Sequence, residues 1–334
     1  MITALKKTIS KSSLMKKLPI PRLSFPTELE FEPIQLCNAK CFTCPYSRLS
    51  ESKEYLGKKM ERDQIEDLLD QFGKLIKKNS YNGESHVNPF RYSDPLVCKD
   101  LDIVFNKANL YKFKVRITTN GVSLNEKYLG ILNDNLENLE EFIRISLIGH
   151  DKETVKKYMN LNLDLTINRF KYAKKNYPEV FKKILVTMSE VDNSPEEQNG
   201  IELLKKEFDI LGLNYKVRKD WIHNRIVGEW VKPELLDKHE QDEENYIRGC
   251  ILYQNKLIRR IQVMYNGNVV LCDDDAEGKL VFGNVFNEGL ENIWNGSLLD
   301  YHKLIYKKEF DSKKKDLICN TCSRAMITSK PNGI

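Results

Sequence analysis

The stretch CNAKCFTC, residues 37–44, places three cysteines within eight residues. A structural zinc site takes four nitrogen or sulfur ligands, so zinc at this loop would need a fourth ligand from elsewhere, and His86 is one candidate. Iron-sulfur clusters of the 4Fe-4S type normally take four thiolates. Three thiolates would leave one iron open to a ligand that is not protein. The loop therefore predicts a metal site, and the count of three favours a cluster with an open position.

The chain has 334 residues, 41% of them hydrophobic and 30% charged, which is typical of a globular protein of about two domains. No apolar run approaches the roughly 18 residues of a membrane span, and the amino terminus lacks the apolar core of a secretory signal. We therefore expect a cytoplasmic protein with no transmembrane segment, in which close-set cysteines bind metal. The net charge of +5 comes from intermixed signs, so we expect no nucleic-acid partner.

Strand-like runs alternate with helical patterns over roughly the first two thirds of the chain. This alternation predicts a parallel sheet with right-handed crossovers, either open or rolled into a barrel. In both folds the functional site lies at the carboxyl ends of the strands. The predicted strands cover 29–35, 80–82, 113–119, 141–147, 183–189 and 214–218.

Polar residues collect where these predicted strands end. We expect one rim of the sheet to carry Cys37, then Gly83 and Glu84, then Thr119 and Asn120, then Ser146, and finally Glu190. His150 and Arg218 lie near the same predicted strand ends. Because side chains of these types transfer protons or bind polar substrates, we take His150, Glu190 and Arg218 as the candidate catalytic residues.

The carboxyl-terminal part of the chain has a different pattern. A charged, weakly periodic bridge is predicted at 221–248, followed by a hairpin whose strands, 261–265 and 268–272, flank Asn266-Gly267. A short helix is predicted at 290–294. Four cysteines in this part would fill every position of a closed site, for which zinc and an iron-sulfur cluster both provide the right count; they are Cys250, Cys272, Cys319 and Cys322.

The cysteine loop resembles the signature of the radical S-adenosylmethionine enzymes, C-x3-C-x2-C with an aromatic residue before the third cysteine. Here the aromatic residue is Phe42, one place earlier than usual. Asn82-Gly83-Glu84 resembles the family's Gly-Gly-Glu turn, with Ser85 where the family usually has proline. The stretches ITTNG (117–121) and ISLIGHDKETVKKYM (145–159) resemble the ends of its third and fourth strands.

The resemblance implies an α/β fold, a partial (β/α)6 radical-SAM barrel with a small cysteine-tied module of the SPASM or twitch type. The implied organisation is an amino-terminal segment at 1–26, the barrel at 27–220, the bridge at 221–248 and the module at 249–330. It also implies two 4Fe-4S clusters, one bound by Cys37, Cys41 and Cys44, and one auxiliary cluster bound by the other four cysteines. The implied contacts to S-adenosylmethionine come from Phe42, Gly83, Glu84, Thr119, Asn120 and Ser146.

By the same resemblance, the chain is expected to generate a 5′-deoxyadenosyl radical that removes hydrogen from a substrate, with electrons from a flavodoxin or ferredoxin. The leading expected substrate is a small polyol or aminosugar, oxidised or epimerised with the auxiliary cluster as electron conduit. Modification of a peptide or protein is the alternative within the family. A zinc-stabilised binding protein without turnover is the alternative from another class.

Overall fold

The computed structural model describes residues 22–219, 246–250, 258–307 and 325–328, with the backbone alone described at 246–250, 304–307 and 325–328. The predicted segment 1–26 and the predicted bridge at 221–248 lie mostly outside these ranges. The first half of the described chain contains β1 (Glu28–Phe31), α1 (Pro45–Leu49), α2 (Arg62–Lys78), β2 (His86–Asn88), α3 (Leu101–Tyr111), β3 (Lys114–Val115) and β4 (Thr118–Thr119).

Helices and strands then alternate to the end of the barrel. They are α4 (Glu126–Asp134), β5 (Ile143–Ile148), α5 (Lys152–Met159), α6 (Leu163–Asn176), α7 (Pro178–Lys182), β6 (Ile184–Ser189), α8 (Pro195–Leu211) and β7 (Asn214–Arg218). The carboxyl-terminal part contains β8 (Tyr246–Cys250), β9 (Arg260–Val263), β10 (Asn268–Val270), β11 (Val281–Asn284), α9 (Val285–Glu288), α10 (Leu290–Asn295), α11 (Ser297–Lys307) and β12 (Ala325–Thr328).

The parallel strands follow one another around a partial barrel. β1, β2 and β3 pair in parallel, as do β4, β5, β6 and β7. Arg116 and Ile117 join the two sets, because the amide of Arg116 donates to Val87 and the amide of Arg144 donates to Ile117. β3 and β4 therefore serve as two parts of one strand position, which gives six positions and confirms the predicted partial barrel.

The carboxyl-terminal hairpin continues this sheet. β9 pairs in parallel with β1, β10 pairs antiparallel with β9, and β11 pairs antiparallel with β10. Gly267 has φ of 85°, a left-handed conformation that suits the predicted Asn-Gly turn. The predicted hairpin and the predicted helix near 290–294 are both confirmed.

Alternation along the strands separates the core from the barrel interior. Leu29 and Phe31 of β1 are fully buried in the hydrophobic core together with Leu68 and Phe72 of α2. In a strand, successive side chains point to opposite faces, so Glu28 and Glu30 face the other side. The core therefore lies between the sheet and the helices, and the interior of the barrel is polar.

The predicted position of the second strand is wrong. The strand is His86–Asn88, and Val87 pairs with Leu29 of β1 and Val115 of β3. Residues 80–82 instead form the turn after α2, where Ser80 has φ of 47°. Gly83 and Glu84 consequently precede β2 and lie at the end of the sheet opposite Cys37, which follows β1. Their predicted place at the carboxyl-end rim is therefore wrong as well.

Candidate functional site

The three-cysteine loop is anchored by backbone hydrogen bonds to the end of α5. The amide of Lys40 donates to Met159 at 2.8 Å, and the amide of Phe42 donates to Tyr158 at 2.9 Å. From α1, the hydroxyl of Ser47 donates to the carbonyl of Cys41 in the loop at 2.6 Å. These contacts within the protein hold the loop in place between β1 and α1.

Hydrogen-bond donors surround the first of the three sulfurs. The Sγ of Cys37 accepts from the amide of Ala39 at 3.4 Å and from the Nδ2 of Asn120 at 3.7 Å. Burial raises the pKa of Cys37 to about 12 and that of Cys44 to about 11. Metal coordination deprotonates thiols, and a buried thiolate is stabilised by N–H donors that point at its sulfur. The surroundings of Cys37 therefore fit a thiolate ligand of an iron-sulfur cluster, whose reduction potential depends on such hydrogen bonds.

The described residues do not group around the three cysteines as a compact zinc site would require. Within the described ranges, no three His, Cys, Asp or Glu side chains are arranged to hold a single metal ion. One zinc ion, with Zn–S bonds of about 2.3 Å, would need sulfurs within roughly 4 Å of one another, whereas a cluster binds each thiolate through a different iron. His86 is not a fourth ligand, because it begins β2, at the end of the sheet opposite Cys37.

Asp94, which the sequence analysis did not single out, connects three strand ends. Its amide donates to the carbonyl of Leu36, one residue before the cysteine loop, at 3.1 Å. Its carboxylate accepts from the hydroxyl of Thr119 at 2.7 Å and from the amide of Asn120 at 2.9 Å. Burial raises the pKa of Asp94, and these hydrogen bonds act in the opposite direction. A sequence signal was present, because Asp94-Pro95 is an acid followed by proline, as in the family's turn.

The other predicted cofactor contacts are dispersed around the rim. Thr119 and Asn120 are at the carboxyl end of β4, as predicted, and there they bind Asp94 and Cys37. The ring of Phe42 packs against Tyr158 with centroids 5.2 Å apart. Ser146 lies on the inner face of β5 and lines a cavity. Only Gly83 and Glu84 lie at the opposite end of the sheet.

The barrel interior contains a cavity of about 480 Å³, within the usual size range of small-molecule sites. Most of its lining comes from the inner faces and carboxyl ends of the strands, and one side is closed by the carboxyl-terminal hairpin. The lining includes Glu30, Asn88, Arg91, Tyr92, Arg116, Arg144, Ser146, Thr187, Lys216, Arg218, Arg260 and Asp273.

Two arginines on one side of the cavity are neutralised by neighbouring carboxylates. Arg116 pairs with Glu28 at 2.7 Å and Glu140 at 2.6 Å, and Arg260 pairs with Glu28 at 2.6 Å and Glu30 at 3.1 Å. Burial acts to raise the pKa of Glu28, but Arg260 and Arg116 outweigh it and hold that pKa at about 2. For Glu30 burial prevails and raises the pKa. This network closes the base of the cavity.

Of the three predicted catalytic residues, Glu190 and Arg218 are neighbours, because the amide of Glu190 donates to the carbonyl of Arg218 at 3.1 Å, whereas His150 lies apart from them. Arg218 lines the cavity at the end of β7. His150 lies after β5 with its ring against Gly200 of α8, and its Nε2 is 3.5 Å from Asp151. Glu190 accepts from the Nε2 of Gln198 at 3.2 Å. Neither His150 nor Glu190 is among the residues that line this cavity.

The cavity lies near both cysteine groups. Cys272 is buried just after β10, Cys250 ends β8, and Cys319 and Cys322 lie outside the described residues. Burial raises the pKa of Tyr92, and the thiols of Cys44 and Cys272 both raise it further. Tyr92 is therefore within electrostatic reach of one cysteine from each group.

A family model for the iron-sulfur cluster-binding SPASM domain matches residues 255–323. The S-adenosyl-L-methionine-dependent 2-deoxy-scyllo-inosamine dehydrogenase of Niallia circulans is 23% identical over 305 residues, which cover 90% of this chain and 94% of that protein. None of the helices in the described ranges is long and apolar enough to cross a membrane.

Two solved structures are similar in fold. BtrN in complex with AdoMet and 2-DOIA matches with a TM-score of 0.55 and 18% identity over 92% of this chain and 97% of that one. Streptococcus suis SuiB bound to precursor peptide SuiA matches with a TM-score of 0.53 and 17% identity over 96% of this chain and 73% of that one. At these identities the structures establish a shared fold.

Proposed function

We propose that this chain, a radical S-adenosylmethionine enzyme with a carboxyl-terminal SPASM domain, oxidises or epimerises a small hydroxylated substrate in the barrel cavity. The observation that carries this proposal is the position of that cavity. Its lining includes Tyr92, which is within electrostatic reach of Cys44 from the first cysteine group and Cys272 from the second. A substrate held there would be close to both predicted clusters.

The enzyme uses S-adenosylmethionine and 4Fe-4S clusters. We assign the first cluster to Cys37, Cys41 and Cys44, and one auxiliary cluster to Cys250, Cys272, Cys319 and Cys322. When bound, these groups supply one-electron hydrogen abstraction at carbon and an acceptor for a further electron. The expected electron donor is a flavodoxin or ferredoxin, and the expected location is the cytoplasm.

The chain's own residues position the reactants. Asp94 fixes the cysteine loop against β4, and Ala39 and Asn120 donate hydrogen bonds to the sulfur of Cys37. The carboxyl-terminal hairpin covers one side of the cavity through Arg260 and Asp273.

Within the cavity, Asn88, Ser146 and Thr187 offer amide and hydroxyl groups to a hydroxylated substrate. Oxidation of an alcohol also releases a proton, and Glu30 and Asp273 are the lining carboxylates available to accept it.

The relative in Niallia circulans supports dehydrogenation of a small substrate, because its alignment covers 90% of this chain. Modification of a peptide is the second candidate, because the fold is shared with a protein solved with its precursor peptide. A zinc-stabilised binding protein has no comparable support.

The test is anaerobic reconstitution with iron and sulfide, followed by incubation with S-adenosylmethionine and dithionite. We expect release of 5′-deoxyadenosine that increases when a polyol or aminosugar substrate is present, with deuterium transfer from a labelled substrate carbon. Stimulation by peptides alone would favour the second candidate. Bound zinc without any release of 5′-deoxyadenosine would contradict both candidates.

A further inference from the structure

The lining of the cavity contains more positive than negative charge. Six lining side chains are cationic, Arg91, Arg116, Arg144, Lys216, Arg218 and Arg260, and two are carboxylates, Glu30 and Asp273. The two arginines at the base are already paired with glutamates. The other four are Arg91, which lies within electrostatic reach of the carboxylates of Glu32 and Glu30, and Arg144, Lys216 and Arg218 on the wall formed by β5, β6 and β7.

A row of three polar side chains crosses this wall. Strand register places Ser146 of β5 beside Thr187 of β6, and Thr187 beside Lys216 of β7. All three line the cavity, as does Arg144, which lies two residues before Ser146 on the same face of β5. Two hydroxyls next to an ammonium group form a surface that suits an oxyanion, because each supplies a hydrogen-bond donor.

The cation at the end of this row is Lys216, an exposed side chain of β7. It forms no ion pair with any residue in the described part of the chain. Arg144 is 3.5 Å from Glu140, a carboxylate that Arg116 already binds at 2.6 Å. On this wall, Lys216 is therefore a cation without an ion pair among the described residues, and Arg144 shares its carboxylate with Arg116.

Arg91 provides a second, independent observation on the same cavity. Its Nη2 donates to the carbonyls of Cys272 and Asp275 at 3.4 and 3.1 Å. Its Nε and Nη1 are buried and have no hydrogen-bond partner among the described residues. A buried guanidinium with unmatched donors is costly unless a ligand supplies the acceptors.

We propose that the substrate carries an oxyanion, a phosphate or carboxylate group, held by Lys216 and Thr187 with Arg144, and that Arg91 binds a further acceptor on the same molecule. The proposal rests on the proposed function, because it assumes that the substrate occupies this cavity. An uncharged polyol or a cationic aminosugar would leave these groups without an anionic partner.

Binding of four probes to the anaerobically reconstituted full chain with S-adenosylmethionine tests the proposal. The probes are myo-inositol, myo-inositol monophosphate, glucuronate and glucosamine, measured by titration calorimetry. We expect at least one of the two anionic probes to bind ten or more times more tightly than myo-inositol and glucosamine, a difference of about 1.4 kcal/mol. Which anion binds more tightly distinguishes phosphate from carboxylate recognition.

Two charge-removing variants locate the effect. Lys216→Gln should reduce the preference for the anionic probe to about twofold or less. Lys182→Gln, which removes an exposed lysine paired with Glu179 outside the cavity, should retain it. Iron content and circular dichroism establish that each variant is folded. Equal or tighter binding of a neutral or cationic probe would overturn the proposal, as would an anion preference that survives in Lys216→Gln.

The same samples separate this proposal from the proposed function. Release of 5′-deoxyadenosine with dithionite requires no knowledge of the substrate. Its absence in a chain that prefers the anionic probes would contradict the enzymatic assignment and support the oxyanion site. Its presence without any anion preference would contradict the oxyanion site alone.

Discussion

The hydroxyl of Thr119 lies within hydrogen-bonding distance of both carboxylate oxygens of Asp94, at 3.0 and 2.7 Å. This contact joins the carboxyl end of β4 to the segment after β2. Since the amide of Asp94 also binds the carbonyl before the cysteine loop, the pair sets where the loop lies against the barrel.

Replacement of Asp94 by asparagine is expected to lower the free energy of unfolding by about 2 kcal/mol, because buried donors on Thr119 and Asn120 lose a charged acceptor. Iron incorporation should fall as well, since the loop loses its support. Urea denaturation and iron analysis measure the two effects. Asp102→Asn, an exposed partner of Arg62, is the control and should change stability by less than about 1 kcal/mol. Equal effects of the two substitutions would contradict this role for Asp94.

A pair of helix glycines tests the packing of His150. A Cβ added at Gly200 of α8 would lie 2.0 Å from the Cδ2 of His150, whereas one added at Gly130 of α4 would meet nothing within 4 Å. Gly200→Ala should therefore destabilise the protein by about 1–3 kcal/mol through overpacking. Gly130→Ala should stabilise it by up to about 1 kcal/mol, because alanine is the better helix former. Thermal denaturation compares the two, and a stabilising Gly200→Ala would show that His150 is not packed there.

The buried imidazole of His302 predicts a loss of stability in mild acid. Burial, followed by the charge of Arg22, lowers its pKa from 6.5 to about 3. Below pH 6.5 the unfolded chain therefore binds a proton that the folded chain does not, so the free energy of unfolding decreases as the pH falls towards 3. At pH 5 this group should account for about 2 kcal/mol of the decrease.

His302→Asn removes the titrating group and leaves an acceptor for the Nε of Arg22, which donates to His302 Nδ1 at 3.2 Å in the native protein. Urea denaturation at pH 7.5 and pH 5, followed by tryptophan fluorescence, should show a smaller change with pH in this variant than in the native chain. An unchanged difference between the two pH values would mean that the acid sensitivity comes from other groups.

The sequence predicts the parts of the fold that depend on local pattern. Ile184–Ser189 alternates buried and half-buried residues, and Asn214–Arg218 alternates exposed and half-buried residues. The predicted bounds of both strands agree with the structure to within one residue. β2 was missed because it has only three residues and one apolar side chain, Val87, whose partners are remote in sequence. The error moved Gly83 and Glu84 to the wrong end of the sheet.

The cavity could not be predicted for a related reason. Arg91 and Lys216 are 125 positions apart in the chain, and only the closure of the barrel places both on one cavity. A partial signal was available in Glu28, Glu30 and Glu32, which alternate with Leu29 and Phe31. Charged residues on one face of a buried strand indicate a polar barrel interior, but their counter-charges come from distant strands.

Iron content and 5′-deoxyadenosine release, measured on the same anaerobically reconstituted samples of the native chain, Cys41→Ala and Cys98→Ala, test the central claim most directly. Cys98 is a buried cysteine outside both groups, so Cys98→Ala should retain both the iron and the release. Cys41→Ala should lose about four iron atoms per chain and all release of 5′-deoxyadenosine. Full iron content with undiminished release in Cys41→Ala would contradict a cluster at the three-cysteine loop.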